Sequence, residues 1–166
     1  MKKIASLLAI ILVLGAFCAC DGGNSTDSVN FADFSAGGVK VTLDDEAQPI
    51  LSALGEYRAF AETGSCFGDG KDRVYEYTSF KVQTYSQGTT EYILAVEIFS
   101  DADASVATGE GIRIGSGRDA VIAVYGEALG ASDTKLTYLR ADGAVRLQFL
   151  LRDGAVSNIQ YLKADA

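Results

Sequence analysis

Carboxylates and lysine are the side chains left for acid–base chemistry, because histidine is absent from all 166 residues. Without an imidazole, the Ser-His-Asp and Cys-His nucleophile systems cannot be assembled. The commonest zinc and copper ligand is missing as well. Paired carboxylates remain a route to general acid–base work. Glu56 and Glu127 occupy equivalent points of an internal repeat. Residues just past two equivalent helix ends would lie far apart in a tandem arrangement, so both are expected on solvated surface. Asp101-x-Asp103-x-Ser105 begins like a calcium loop. Such a loop needs Gly at its sixth position and Glu at its twelfth, where Val106 and Ile112 stand, so a turn is expected. Gly68-Asp69-Gly70-Lys71-Asp72 is likewise a polar turn. The glycine-rich run Gly109–Gly117 lacks both the Gly-x-Gly-x-x-Gly spacing and the Lys-Ser/Thr of a phosphate loop. Capping and linker duty explain it. No metal or cofactor is implied by any of these segments.

The cysteine with the most specific setting is Cys20. Lys2 and Lys3 form a positive start, Ile4 to Leu14 an apolar run, and Gly15-Ala16-Phe17-Cys18-Ala19-Cys20 a small-residue processing site. The apolar run is shorter than the ~18–20 residues of a spanning helix. The segment resembles a bacterial lipoprotein signal. That resemblance implies removal of residues 1–19, acylation of Cys20 (diacylglycerol and palmitate), and a protein lipid-anchored at the extracytoplasmic face of the cell membrane. One acyl chain holds weakly, whereas the two of a diacylglycerol anchor stably. Asp21 directly after the cysteine resembles the signal for retention at an inner membrane. Cleavage would also remove Cys18 and leave Cys66 as the one unmodified thiol, expected to be buried. No intramolecular disulfide is then possible.

Charge narrows the partners. Without Lys2 and Lys3 the chain has 12 basic and 22 acidic side chains, a net −10. Nucleic acid needs a basic footprint, which is missing. A body lying flat on anionic lipid is disfavoured for the same reason. The charge suits a soluble exported domain.

Residues 20–38 are rich in Gly, Ser, Asn and Asp and read as a flexible tether after the lipidated cysteine, with Phe31 and Phe34 expected against the domain. Beyond them the chain repeats. Val41–Glu56 aligns without a gap on Ile112–Glu127, at an offset of 71 residues. Each copy has a short β-type entry and then a capping box, Asp45 with Gln48 and Ser116 with Asp119. Apolar residues at helical spacing follow: Ala47, Ile50, Leu51, Leu54 and Ala120, Val121, Val124, Tyr125. Gly55 and Gly126 are expected as left-handed stops. Three strand-like runs come next. In the second copy they are Lys135–Leu139, Ala144–Leu151 and Ala155–Leu162, broken by Asp142-Gly143 and Asp153-Gly154. In the first they are Val74–Thr78, Phe80–Tyr85 and Glu91–Ser100, after about ten extra residues around Ala61–Gly70. Tyr77 and Tyr138 are repeat-equivalent and expected in the core. The expected fold class is α+β: two tandem helix-plus-three-strand repeats, residues 39–108 and 109–166, sharing an antiparallel sheet with the helices on one face.

A strand, a capped helix carrying Val121…Tyr125-Gly126, and a meander, in tandem over about residues 39–163, resemble the β-lactamase-inhibitor-protein-like fold. The small outer-membrane-assembly lipoproteins of the SmpA/OmlA type share that unit, with a motif like Ile114-Gly115-Ser116. The resemblance implies a membrane-anchored module that binds another envelope or extracellular protein through its sheet, without catalysis. By alternation, the sheet face away from the helices receives Lys81, Tyr85, Arg146, Gln148 and Arg152. Tyr and Arg are the residues that most often carry interface energy. The competing reading is a hydrolase or sugar-processing accessory enzyme working through paired carboxylates, which would require two close, partly buried carboxylates in a cleft.

Overall fold

A computed structural model describes residues 28–65 and 70–164. The expected signal, Cys20 and Cys66 lie outside them. The elements are β1 (Ser28–Val29), β2 (Phe34–Ala36), β3 (Val39–Val41), α1 (Ala47–Leu54), β4 (Ala59–Gly64), β5 (Lys71–Glu76), β6 (Phe80–Gln87), β7 (Thr90–Ile98), α2 (Arg118–Tyr125), β8 (Gly130–Ser132), β9 (Lys135–Arg140), β10 (Val145–Arg152) and β11 (Ala155–Lys163).

The chain is predominantly β, which corrects the expected α+β class. Strand accounts for 49% and helix for 12%, in a mixed sheet of nine strands. The order is β1-β9-β10-β11-β7-β6-β5-β4, with β8 also paired to β9. Helix-plus-three-strand repeats and an all-antiparallel sheet are both overturned. An additional strand, β4 or β8, follows each helix, and β1 joins β9 in parallel, Ser28 beside Leu139. The physical reason is plain for β4. All six of its residues are exposed, so no alternation of apolar and polar marks it. Its order comes from pairing with β5, Ala59 against Glu76 through Gly64 against Lys71.

The two halves meet at β11 and β7, with Ile159 opposite Ile98 and Tyr161 opposite Val96. Partners in a ladder face the same way. One face therefore carries Phe80, Val82, Val96, Ile98, Leu147, Phe149, Ile159 and Tyr161. These residues join Ala47 and Leu51 of α1 and Val121 and Tyr125 of α2 in one core. Tyr125 packs on Tyr138 and on Phe149, with ring centroids 5.3 Å apart in each pair. Tyr77 and Tyr138 are both buried.

Residues 28–38, the part of the expected 20–38 tether that lies among the described residues, pack into the structure and are not tether. Phe31 and Phe34 are buried, and β2 pairs with β3 as a small separate sheet. Gly109 makes room for this segment, since a Cβ there would come within 2.6 Å of the Ala32 Cβ.

The helix entries differ from the expected capping boxes. The N-cap positions are Glu46 and Gly117, and neither makes a side-chain cap bond. Ser116 Oγ instead accepts the Arg113 N–H at 3.1 Å. Both N-cap residues form sheet bridges, Glu46 to Tyr92 and Gly117 to Ala155. They are repeat equivalents, so the chain's 71-residue offset is also a structural one.

At the helix ends Gly55 has φ 82° and ψ −152°, and Gly126 has φ 78° and ψ −161°. Positive φ is as expected, but ψ places both in the extended mirror region that is essentially reserved for glycine, not in the left-handed helical well. Alanine at either position is therefore expected to cost about 1–3 kcal/mol. A thermal melt unchanged for both variants would contradict these backbone angles.

Candidate functional site

The sheet face away from the core is built by the alternate residues of the same strands. Cross-strand register places Gln148, Gln160, Glu97 and Lys81 in one row across β10, β11, β7 and β6. At ~4.8 Å per strand this row separates Gln148 from Lys81 by roughly 14 Å. The next row holds Leu139, Arg146, Leu162, Ala95 and Gln83. Tyr85 lies farther along β6, opposite Tyr92. Arg152 stands at the other end of β10, opposite Ala155 and beyond the register shift at Leu150/Leu151.

The expected binding residues therefore divide. Lys81 is neutralised by Glu97 at 2.8 Å, and Glu97 also accepts the Asn158 Nδ2–H at 2.7 Å. Tyr85 donates its hydroxyl to Asp44 at 3.0 Å, and the Lys163 ammonium lies 5.7 Å from its ring centroid. Burial, with that hydrogen bond, raises the Tyr85 pKa. Arg152 is exposed and far from both.

Arg146 and Gln148 come together in a shallow depression of ≈ 440 Å³ that they share with Leu129, Gly130, Ala131, Ser132, Lys135 and Thr137. Three features of the sequence shape it. The β8–β9 hairpin forms one wall, and the Leu151 N–H closes on the Thr134 carbonyl at 2.8 Å. Arg118 of α2 donates to the Ser132 carbonyl at 2.8 Å and holds β8 in place. The register of β9 on β10 sets Thr137 beside Gln148. Arg146 donates to the Ala164 carbonyl at 2.6 Å. Neither Arg146 nor Lys135 has a carboxylate partner among the described residues, nor do Arg58, Arg113, Arg118 and Arg152, whereas Lys40, Lys71, Arg73, Lys81, Arg140 and Lys163 do. Leu129, 52% exposed, adds an apolar edge. Sequence reasoning missed Leu129, Lys135 and Thr137. Alternation along β9 was enough to put Lys135 and Thr137 on this face, but nothing local announced that β8 would border it.

The carboxylates act as ion-pair and hydrogen-bond acceptors. Burial works to raise the Asp33 pKa, but hydrogen bonds from Lys40 and Arg140 outweigh it and hold the carboxyl below its usual range. Glu62 is lowered by Lys71 and Arg73. Asp103 accepts the N–H and hydroxyl of Ser105, at 2.9 and 2.6 Å, as an Asx turn, and its pKa is lowered too. Glu56 and Glu127 are exposed, as expected. A general acid at neutral pH needs the opposite shift.

Because Asp33 titrates lower folded than unfolded, its contribution is present above the unfolded value and is lost as pH falls through the folded one. Denaturation of Asp33→Asn is therefore expected to show a weaker loss of stability below about pH 4 than wild type. Identical acid profiles would show that Asp33 adds nothing there. Among the described residues, no group of His, Cys, Asp and Glu is placed to hold a metal ion, and no helix is long and apolar enough to cross a membrane. No family model, curated protein or solved structure matches this chain.

Proposed function

We propose that the chain is a lipoprotein, anchored through Cys20 at the extracytoplasmic face of the cell membrane, that binds another envelope protein and performs no catalysis. The observation that carries the binding reading is the open-face depression. Two cations without carboxylate partners among the described residues, Arg146 and Lys135, lie beside Thr137, Gln148 and the exposed Leu129. In a chain of net charge −8, the closeness of two such cations, where six of the ten other cations among the described residues are ion-paired, suits an acidic segment of a partner with an adjoining apolar residue. Arg supplies bidentate, well-oriented contact with carboxylates. The likeness of the repeat motifs to inhibitor-like and assembly lipoproteins points the same way.

Two measurements test the reading separately. Fractionated cells carrying Cys20→Ser should release the protein from the membrane that retains wild type; identical partitioning removes the anchor. Crosslinking in intact envelopes should capture a partner whose yield falls at least tenfold with Arg146→Glu/Lys135→Glu and stays unchanged with Arg152→Glu. Equal yields from wild type and the double variant would remove the depression as the binding site.

A further inference from the structure

A cavity lies on the core side of the sheet, across from the open-face depression. It measures ≈ 380 Å³, within the ~300–1,000 Å³ of small-molecule sites. Four segments distant in sequence build it: the β2–β3 turn, the end of α1 with the residues after it, the β5–β6 turn, and Asp103. Tyr77 and Phe80 are buried and give it an apolar floor, their rings stacked at 4.7 Å and 13°. Ala36, Val39 and Leu54 line the walls. The Ser79 hydroxyl accepts the Asp103 N–H at 2.7 Å and fixes Asp103 at the rim.

The charges around this cavity are of both signs, and the chain does not neutralise them. Glu56 and Arg58 both line it and are both exposed. Among the described residues neither side chain makes an ion pair or a hydrogen bond, and they do not pair with each other although two positions apart. α1 ends at the same wall with no basic residue in its last turn, so the negative end of its dipole has no cation from the chain. The floor is unmatched too. Tyr77 is 6% exposed, and its hydroxyl has no hydrogen-bond partner among the described residues. Buried polar groups are normally hydrogen-bonded, so a buried Tyr77 donor that the chain leaves without an acceptor is an exception with a cause to find.

The geometry points to a binding site for a small zwitterion, an α-amino acid with an apolar side chain. Its ammonium group suits the negative side of the cavity, formed by Glu56, Asp103 and the end of α1. Its carboxylate suits Arg58, whose planar guanidinium binds carboxylates through two parallel hydrogen bonds. Its side chain suits the apolar floor, where the Tyr77 hydroxyl takes its partner from the ligand. A ligand with a single charge would leave either Glu56 or Arg58 unmatched, and a neutral sugar would leave both. The inference needs neither the lipid anchor nor the open-face depression.

The test is isothermal titration calorimetry of the full chain in detergent micelles, with leucine, valine and phenylalanine as probes. At least one is expected to bind saturably, in the millimolar range or tighter. Its amide, which lacks the carboxylate, and its N-acetyl form, which lacks the ammonium group, are each expected to bind more weakly by roughly tenfold or more. Arg58→Ala should abolish the preference over the amide, and Glu56→Gln should narrow the preference over the N-acetyl form. Both residues are exposed, so neither change should disturb folding. Tyr77→Phe should weaken binding by about threefold or more while the ligand-free melting temperature does not fall, because that hydroxyl has no partner in the chain to lose. A purely structural hydroxyl would lower the melt instead. Three outcomes would overturn the inference: no saturable binding of any of the three amino acids, glucose or a singly charged form binding as tightly as the amino acid, or charge preferences that survive both Arg58→Ala and Glu56→Gln.

Discussion

Phe34→Ala is expected to destabilise the protein by about 3–5 kcal/mol, the usual range for emptying a buried phenylalanine site. Phe34 is 0% exposed. Its ring centroid lies 5.0 Å from that of Phe80 on β6 and 6.1 Å from that of Tyr161 on β11. It thus spans the seam where the two halves of the sheet join, from a segment whose composition reads as tether. Phe31 contacts Tyr161 and Tyr125 from the same segment. Arg140 binds Asp33, which also pairs with Lys40 at 2.9 Å. The cavity left by alanine could be refilled only by moving this whole hairpin. Urea denaturation gives the number directly. A loss under about 0.5 kcal/mol, typical of a surface site, would show that residues 28–36 do not pack as described.

Glu91→Ala is expected to cost about 3 kcal/mol, towards the low end for breaking a buried ion pair because Arg73 remains 26% exposed. The Glu91 side chain is 7% exposed and faces the core side of β7. It accepts hydrogen bonds from Arg73 Nη1 and Tyr75 Oη, both at 3.0 Å, and from the Thr84 hydroxyl. Arg73 continues to Glu62 at 2.8 Å, which Lys71 also binds. Burial, together with the bond to Glu91, raises the Tyr75 pKa, so its hydroxyl stays a donor across the physiological range. Alanine would leave the Arg73 fork, a phenol and a hydroxyl without their acceptor. Glu91→Gln keeps an acceptor oxygen but loses the charge, so a smaller loss is expected. Equal, small effects of both substitutions would mean that the network is solvated and contributes little.

The helices and most of the long strands were legible in the sequence because each signal is local. Apolar spacing and a glycine stop marked α1 and α2, and Asp-Gly turns with strict alternation marked β9, β10 and β11. The 71-residue offset matches the equivalent bridges of Glu46 and Gly117, but not the helix-plus-three-strand repeat expected from it. The capping boxes failed for a tertiary reason: the residues before each helix are bound to the sheet, so backbone pairing with β7 and β11 replaces the side-chain cap. β4 and β8 failed because exposed edge strands carry no burial pattern. The class followed them, from α+β to predominantly β.

The site divides along the same line. That Arg146 and Gln148 share the open face follows from alternation in β10, which sequence alone determines. Whether a charge there is free depends on neighbours brought from distant strands. Glu97 on β7 takes Lys81, and Asp44 takes Tyr85 across 41 residues of chain. Among the described residues, Arg146 and Lys135 meet no carboxylate, and Arg146 turns to the Ala164 carbonyl. Residue type and periodicity decide which way a side chain points, but its electrostatic state is set by Coulomb and hydrogen-bond partners at a few ångströms. Only the tertiary pairing of β11 with β7, and of β8 with β9, decided who those partners are.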